Sequence, residues 1–101
     1  MINNIKDKLE FEHEKYFSLV KIISRTEFYT RAFEIAAKKA IYNALSLDLN
    51  NNALSDELIE FLLQQENMID FIYLKAGKDM ILTNGELSDN TWSRLKIKIK
   101  F

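Results

Sequence analysis

The chain has 101 residues, of which 48% are hydrophobic, 29% are charged and none is cysteine. This size predicts a single helical domain, 1–101, and the lack of cysteine excludes disulfides and thiolate metal sites. The net charge of -1 argues against a general polyanion binder, but the charge is unevenly distributed. Residues 1–74 carry 12 acids and 8 bases, so they are acidic, and residues 75–101 carry 3 acids and 6 bases, so they are basic.

The composition also indicates a helical, cytoplasmic protein. Two glycines and no prolines are too few for the many tight turns of a β-sandwich or barrel. The chain lacks an apolar run of about 20 residues that could span a bilayer. Its acidic start does not look like a secretory signal. We therefore expect a protein of the host cytoplasm that does not associate with a membrane.

The first half of the chain predicts two helices. Residues 3–24 repeat apolar side chains at nearly seven-residue spacing, in a seam that Glu12 interrupts. The first half of this helix is mostly charged, so we expect it to project from the body or to fray. Ser24 and Glu27 fit a capping box that starts a second helix, which ends at about Ser46.

Leu54 to Ala76 is the most apolar stretch of the chain. Ser55 is the expected N-cap of a helix, with Leu54 and Ile59 at the positions of a hydrophobic staple. We predict two short helices with a tight joint at about Glu66–Asn67. The second is apolar nearly all round, so other elements must cover it.

Residues 77–101 are compatible with more than one structure. Asn84-Gly85 is a turn signal, and Ser88 fits the N-cap of a last helix, yet residues 95–101 alternate apolar and basic side chains as a strand does. We predict a short helix that passes into an extended basic end, with which residues 81–83 could pair. The predicted fold is all-α: a compact bundle of four or five helices with either a short C-terminal β-hairpin or an extended basic segment.

No group of residues indicates catalysis. Glu10 and His13 have the Glu-x-x-His spacing of carboxylate-bridged metal bundles, but those bundles need two such motifs. The sequence contains no cysteine nucleophile, no serine elbow to pair with its one histidine, and no phosphate-binding glycine loop. We expect a protein that is not an enzyme and uses no metal or cofactor.

Two charged surfaces are candidates for partner binding. The acidic face of Asp56, Glu57 and Glu60 could imitate nucleic-acid phosphates toward a basic groove, although acids at a helix N-terminus also stabilise the helix itself. The basic tail could contact phosphates and stack a base, or its lysines could protect an exposed edge strand. Its candidate residues are Trp92, Arg94, Lys96, Lys98 and Lys100.

Residues 79–98 also have the spacing of a helix-turn-helix. A first short helix would end at Asn84-Gly85, and a second would present the polar residues from Asp89 to Arg94 to a DNA groove. This pattern favours a different function, that of a small DNA-binding regulator.

Three packing motifs lie between residues 28 and 76: the helix FYTRAFEIAAKKAIYNAL, the Leu54-Ser-Asp start followed by Leu62-Leu63, and the ending Ile69-x-x-Ile72-Tyr73. With these motifs the segment resembles a small helical domain of unknown function found in phages and in antirestriction-type proteins of mobile elements. The resemblance implies a mobile-element context and no catalytic residues. Small phage proteins of this kind are often inhibitors of host defence systems, anti-CRISPR proteins included.

The function we expect is therefore non-enzymatic binding of a host protein, as an anti-CRISPR-type inhibitor of a nuclease or of its nucleic-acid complex. The alternative is the helix-turn-helix regulator that uses residues 79–98. A third hypothesis is a homodimer built on the first helix, in which Leu9 and Tyr16 would lie in the seam.

Overall fold

A computed structural model describes residues 2–76 and 80–99. Over this part of the chain the fold is all-α with one small hairpin near the C-terminus, as the sequence predicted. It has six helices rather than four or five. In chain order the elements are α1 (Ile2–Val20), α2 (Arg25–Thr30), α3 (Ala32–Asn50), α4 (Asp56–Leu63), α5 (Met68–Ala76), β1 (Leu82–Thr83), β2 (Glu86–Leu87) and α6 (Asp89–Ile99).

Helices α1 and α3 form an antiparallel pair. Tyr42 of α3 donates a hydrogen bond to Glu10 of α1, while Tyr16, further along α1, donates to Glu34 near the start of α3. The expectation that the first half of α1 projects is wrong, because Ile5 and Leu9 are buried in the core. Two well-placed apolar residues outweigh the charges around them, since most of the charged side chains can point to solvent.

The additional helix comes from a break in the predicted second helix. Ser24 caps α2 as expected, because its hydroxyl accepts a hydrogen bond from the Glu27 N–H at 3.1 Å. The chain then leaves helical geometry at Arg31, where φ is -102° and ψ is 12°, before α3 begins. Helix α2 has only six residues, and none of them is buried.

The capping predictions for the middle of the chain are confirmed. Asn52 adopts a left-handed φ of 54° between α3 and α4. The Ser55 hydroxyl then accepts from the Leu58 N–H at 3.2 Å and starts α4. After α4 ends, Asn67 caps α5 by accepting from the Asp70 N–H at 2.9 Å. The core of these helices is apolar and includes Ile41, Leu45, Leu58, Leu62, Met68 and Ile72.

The buried carboxylate of Glu12 joins α1 to the start of α5. Its two oxygens accept from the N–H groups of Met68 at 3.0 Å and Ile69 at 3.1 Å. The first N–H groups of a helix have no partner within it, and a carboxylate also complements the positive end of the helix dipole. Lys8 pairs with Glu12 at 3.1 Å and donates to carbonyl groups of the turn before α5. The residue that interrupts the predicted seam therefore fixes α5 against α1.

The C-terminal part forms a hairpin followed by a helix. Leu82 pairs with Leu87 and Thr83 with Glu86, around Asn84 and Gly85, which both have positive φ. The predicted pairing of residues 81–83 with the chain end is therefore wrong. The prediction of an extended end is also wrong for residues 95–99, which continue α6; residues 100 and 101 lie outside the described part.

Helical spacing explains why the alternating pattern gives a helix here. Trp92, Leu95 and Ile99 lie three and four positions apart and are buried on one side of α6, whereas Ile97 is exposed.

In the part of the chain that the structure describes, no helix has both the length and the apolar character that crossing a membrane requires.

Candidate interaction surfaces

The acidic face lies at the start of α4, where the sequence predicted it. Asp56, Glu57 and Glu60 are all exposed, while Leu58 and Ile59 of the same helix are buried. The capped N-terminus at Ser55 places Asp56 and Glu57 in the first turn, where the helix dipole favours negative charge. These acids therefore stabilise α4 and also present a negative surface to solvent.

The basic tail is only partly available as a surface. Trp92 is 7% exposed, and its Nε1 donates to the Asp48 carboxylate at 2.7 Å. Lys96 donates to the same Asp48 oxygen at 2.9 Å. The indole is therefore held inside the fold by a residue of α3, which leaves it no open face for a nucleic-acid base. Arg94 and Lys98 are exposed on α6.

Lys100, the last predicted tail residue, lies outside the described residues. The helix-turn-helix geometry is not formed, because the residues directly before Asn84-Gly85 form β1 where the first helix was expected. The second predicted helix does exist as α6, and its polar residues Asp89, Asn90, Ser93 and Arg94 are exposed.

A third surface, which the sequence did not predict, lies where the chain turns from α1 through α2 into α3. Helices α1 and α3 form a helical hairpin, distinct from the β-hairpin, and we call residues 19–33 the hairpin tip. Ile22 is 77% exposed and Tyr29 is 69% exposed. Leu19 and Phe33 each expose about half of their side chain, and Phe28 is 42% exposed. Lys21 and Arg25 lie exposed among these apolar groups.

The hairpin tip lies outside the hydrophobic core. The core includes Leu9 of α1 and Ala37 of α3, but no described residue between them belongs to it. Each of these 19-residue helices is about 28 Å long at the usual rise per residue. The fold is elongated and measures 40 × 26 × 22 Å.

A charged network fastens the tip to the body. The Glu34 carboxylate accepts from the Tyr16 hydroxyl and from Arg31, both at 2.7 Å, and pairs with Lys38 at 3.4 Å. Lys38 also pairs with Asp70 of α5 at 2.6 Å. Burial alone would raise the pKa of Glu34, but the hydrogen bonds from Arg31 and Tyr16 and the charge of Lys38 together lower it to about 2. The network therefore holds an ionised carboxylate at the base of the tip.

His13 lies in an aromatic cluster rather than among carboxylates. Its ring stacks on Tyr42 with a centroid distance of 3.7 Å and lies 4.6 Å from Phe17. Burial lowers the pKa of His13, against the opposing charge of Glu10. Tyr42 donates its hydroxyl hydrogen to Glu10, which draws that carboxylate toward α3. Over residues 2–76 and 80–99, no group of three His, Asp or Glu side chains is placed to hold a metal ion.

No protein-family model, curated protein or solved structure matches this chain. The case for any function therefore depends on the surfaces themselves.

The signal for the hairpin tip was present in the sequence as an excess of apolar residues. Residues 16–33 hold more large apolar side chains than one helical face can place against a neighbour. The sequence does not show which of them would be left outside. That depends on where α4, α5 and α6 pack, which is set by residues far along the chain.

Proposed function

We propose that the protein is a non-enzymatic phage or mobile-element protein that inhibits a host defence nuclease by binding to it. The observation that carries this proposal is the hairpin tip, where five large apolar side chains are exposed within residues 19–33. Exposed apolar patches on a small protein typically mark interaction sites, and aromatic residues are enriched among the side chains that dominate binding energy.

The acidic face supports the same proposal by a different physical route. Asp56, Glu57 and Glu60 present three negative charges within two turns of α4. Such a surface attracts the basic grooves with which nucleases hold nucleic acid and accelerates association with them. In this proposal the acidic face steers the protein to its partner and is required for binding, and the hairpin tip adds apolar contacts that strengthen the complex.

The phage or mobile-element setting and the choice of a nuclease as partner come from the resemblance of residues 28–76. Neither follows from the geometry, which favours a binding protein in general. The experiment must therefore identify the partner class as well as the surface.

The test is a DNA-cleavage assay with a panel of purified bacterial defence nucleases, guide-loaded CRISPR nucleases and restriction enzymes among them. We expect the wild-type protein to inhibit at least one of them. The variant with Ile22→Asp and Tyr29→Ala should inhibit at least about tenfold more weakly, because it removes two of the most exposed apolar groups. Reversal of Asp56, Glu57 and Glu60 to Lys should abolish binding and leave the fold intact.

The matched control is Ile97→Asp, which changes a comparably exposed apolar residue on α6. This variant should inhibit as strongly as wild type. Failure to inhibit any nuclease of the panel would contradict the proposed function. Full inhibition by the Ile22 and Tyr29 variant would remove the hairpin tip from the account, and unchanged binding after charge reversal would remove the acidic face.

The DNA-binding regulator is the competing function, and the same protein preparation can test it. Its candidate cations include Arg94 and Lys98, which are exposed on α6. Fluorescence polarisation with duplex DNA should show no binding at low salt. Sequence-preferring binding with a steep salt dependence, lost in Arg94→Ala, would favour the regulator instead.

A further inference from the structure

A cleft of about 690 Å³ lies between α1 and α5, away from the hairpin tip. Phe11 and Lys15 line it from α1, and Asp70, Phe71 and Leu74 line it from α5. Phe11 and Lys15 are four positions apart, and Leu74 follows Asp70 by four positions and Phe71 by three, so each wall of the cleft is one helical face. A groove between two such faces has the shape that receives another helix.

The rims of this cleft are apolar and exposed. Phe11 is 66% exposed and Leu74 is 77% exposed, while Phe71 is half-buried, with its ring centroid 5.7 Å from that of Phe61. Neither rim residue contributes to the core. Both would be covered by an apolar side chain placed in the cleft.

The two walls carry opposite charges. The α1 wall has Lys8 and Lys15, whereas the other wall has Glu66, in the turn before α5, and Asp70. Lys8 is already engaged by Glu12, and Asp70 by Lys38. Lys15 and Glu66 are exposed, so one basic and one acidic group face solvent on opposite sides of the cleft.

A surface with a basic wall and an acidic wall is complementary to itself after a twofold rotation. We infer that this cleft binds a second copy of the chain, forming a symmetric dimer. Phe11 of each subunit occupies the cleft of the other, between Phe71 and Leu74 of the partner subunit. Lys15 lies opposite Glu66 of the partner subunit, and the rotation repeats both contacts.

This dimer differs from the homodimer that the sequence suggested. The seam of that homodimer would need Leu9 and Tyr16, but Leu9 is buried in its own core and Tyr16 is bonded to Glu34. The dimer inferred here uses another side of α1, through Phe11 and Lys15. It is independent of the proposed function, because no residue of the hairpin tip lines the cleft.

Analytical ultracentrifugation at protein concentrations of about 1–200 µM tests the inference, because dimers with a small apolar interface form in this range. Wild type should sediment as a dimer at the upper end. Phe11→Asp should be monomeric throughout, with an unchanged circular dichroism spectrum since the side chain is largely outside the core. Leu47→Asp changes a similarly exposed residue of α3 outside the cleft and should remain dimeric.

A charge-swap series makes the test specific. Lys15→Glu and Glu66→Lys should each weaken dimerisation about tenfold by placing like charges together, and the double variant should return to within about threefold of wild type. A monomeric wild type would overturn the inference, as would dissociation of Leu47→Asp to the same extent as Phe11→Asp. A double variant as weak as the single variants would also overturn it.

Discussion

Residues 2–10 and residues 11–20 belong to one continuous helix, but only the first part is anchored in the core. Leu9 is 1% exposed and belongs to the core, together with residues of α3, α4, α5 and α6, whereas Leu19 is 52% exposed. The second part is the richer in large apolar residues, yet none of them belongs to the core. Burial is therefore decided by which elements pack across from a helix, and apolar content alone does not predict it.

The two parts of α1 also have different roles. Its first part and Glu12 hold the helices together. Its second part, with α2, presents apolar groups to solvent at little cost to the fold. A protein of this size can keep such a surface only if the remaining core is sufficient, because small domains are marginally stable.

Truncating one leucine in each part of α1 should give the largest difference. Leu9→Ala should lower the free energy of unfolding by about 3 kcal/mol, since it leaves a cavity in the core, whereas Leu19→Ala should lower it by less than about 1 kcal/mol. Chemical denaturation of the two variants measures both values. Equal losses would mean that the two parts of α1 are buried alike.

Removing the Glu12 carboxylate should give the next largest effect. Glu12→Ala leaves the N–H groups of Met68 and Ile69 without their acceptor and removes the charge that pairs with Lys8, so we expect a loss of about 2 kcal/mol. Glu12→Gln keeps one acceptor and should lose less.

Glu14→Ala is the matched control, because it removes an exposed carboxylate from the same helix and should change stability by no more than about 0.5 kcal/mol. Denaturation at neutral pH measures all three variants. A Glu12→Ala variant as stable as Glu14→Ala would show that the contact with α5 contributes nothing.

The network at the base of the hairpin tip should appear as a smaller, pH-dependent effect. The fold lowers the pKa of Glu34 from 4.5 to about 2, so its stabilising contribution is complete above pH 4.5 and is lost as the pH falls toward 2. Glu34→Gln should reduce the acid-side loss of stability by on the order of 1 kcal/mol, allowing for solvent screening. Denaturation at several pH values between 2 and 6 measures this. The same pH dependence in wild type and variant would rule out the network as a contributor.

The parts of the fold that depend on neighbouring residues were predictable from the sequence. The N-caps at Ser24 and Ser55 and the hairpin turn at Asn84-Gly85 all form where short patterns predicted them. Each depends on side chains and backbone groups within about four residues of one another. The same holds for the acidic face, since a helix with a known start and a buried side has a known exposed side.

The parts that depend on distant residues were not predictable. Glu12 was interpreted as an interruption because its partners, the N–H groups of Met68 and Ile69, lie more than fifty positions away. Trp92 was interpreted as a base-stacking residue because nothing local indicates its bond to Asp48. A polar residue in an apolar pattern can thus be a defect, a buried bond or a binding site, and its distant partners decide which.

Native-state hydrogen exchange along α1 tests most directly whether the hairpin tip is independent of the core. Amides near Leu9 should exchange only through global unfolding, whereas those near Leu19 and within α2 should exchange at least about a hundredfold faster through local opening. Uniform protection from Leu9 to α2 would contradict the account, because it would mean that the tip is held by the core.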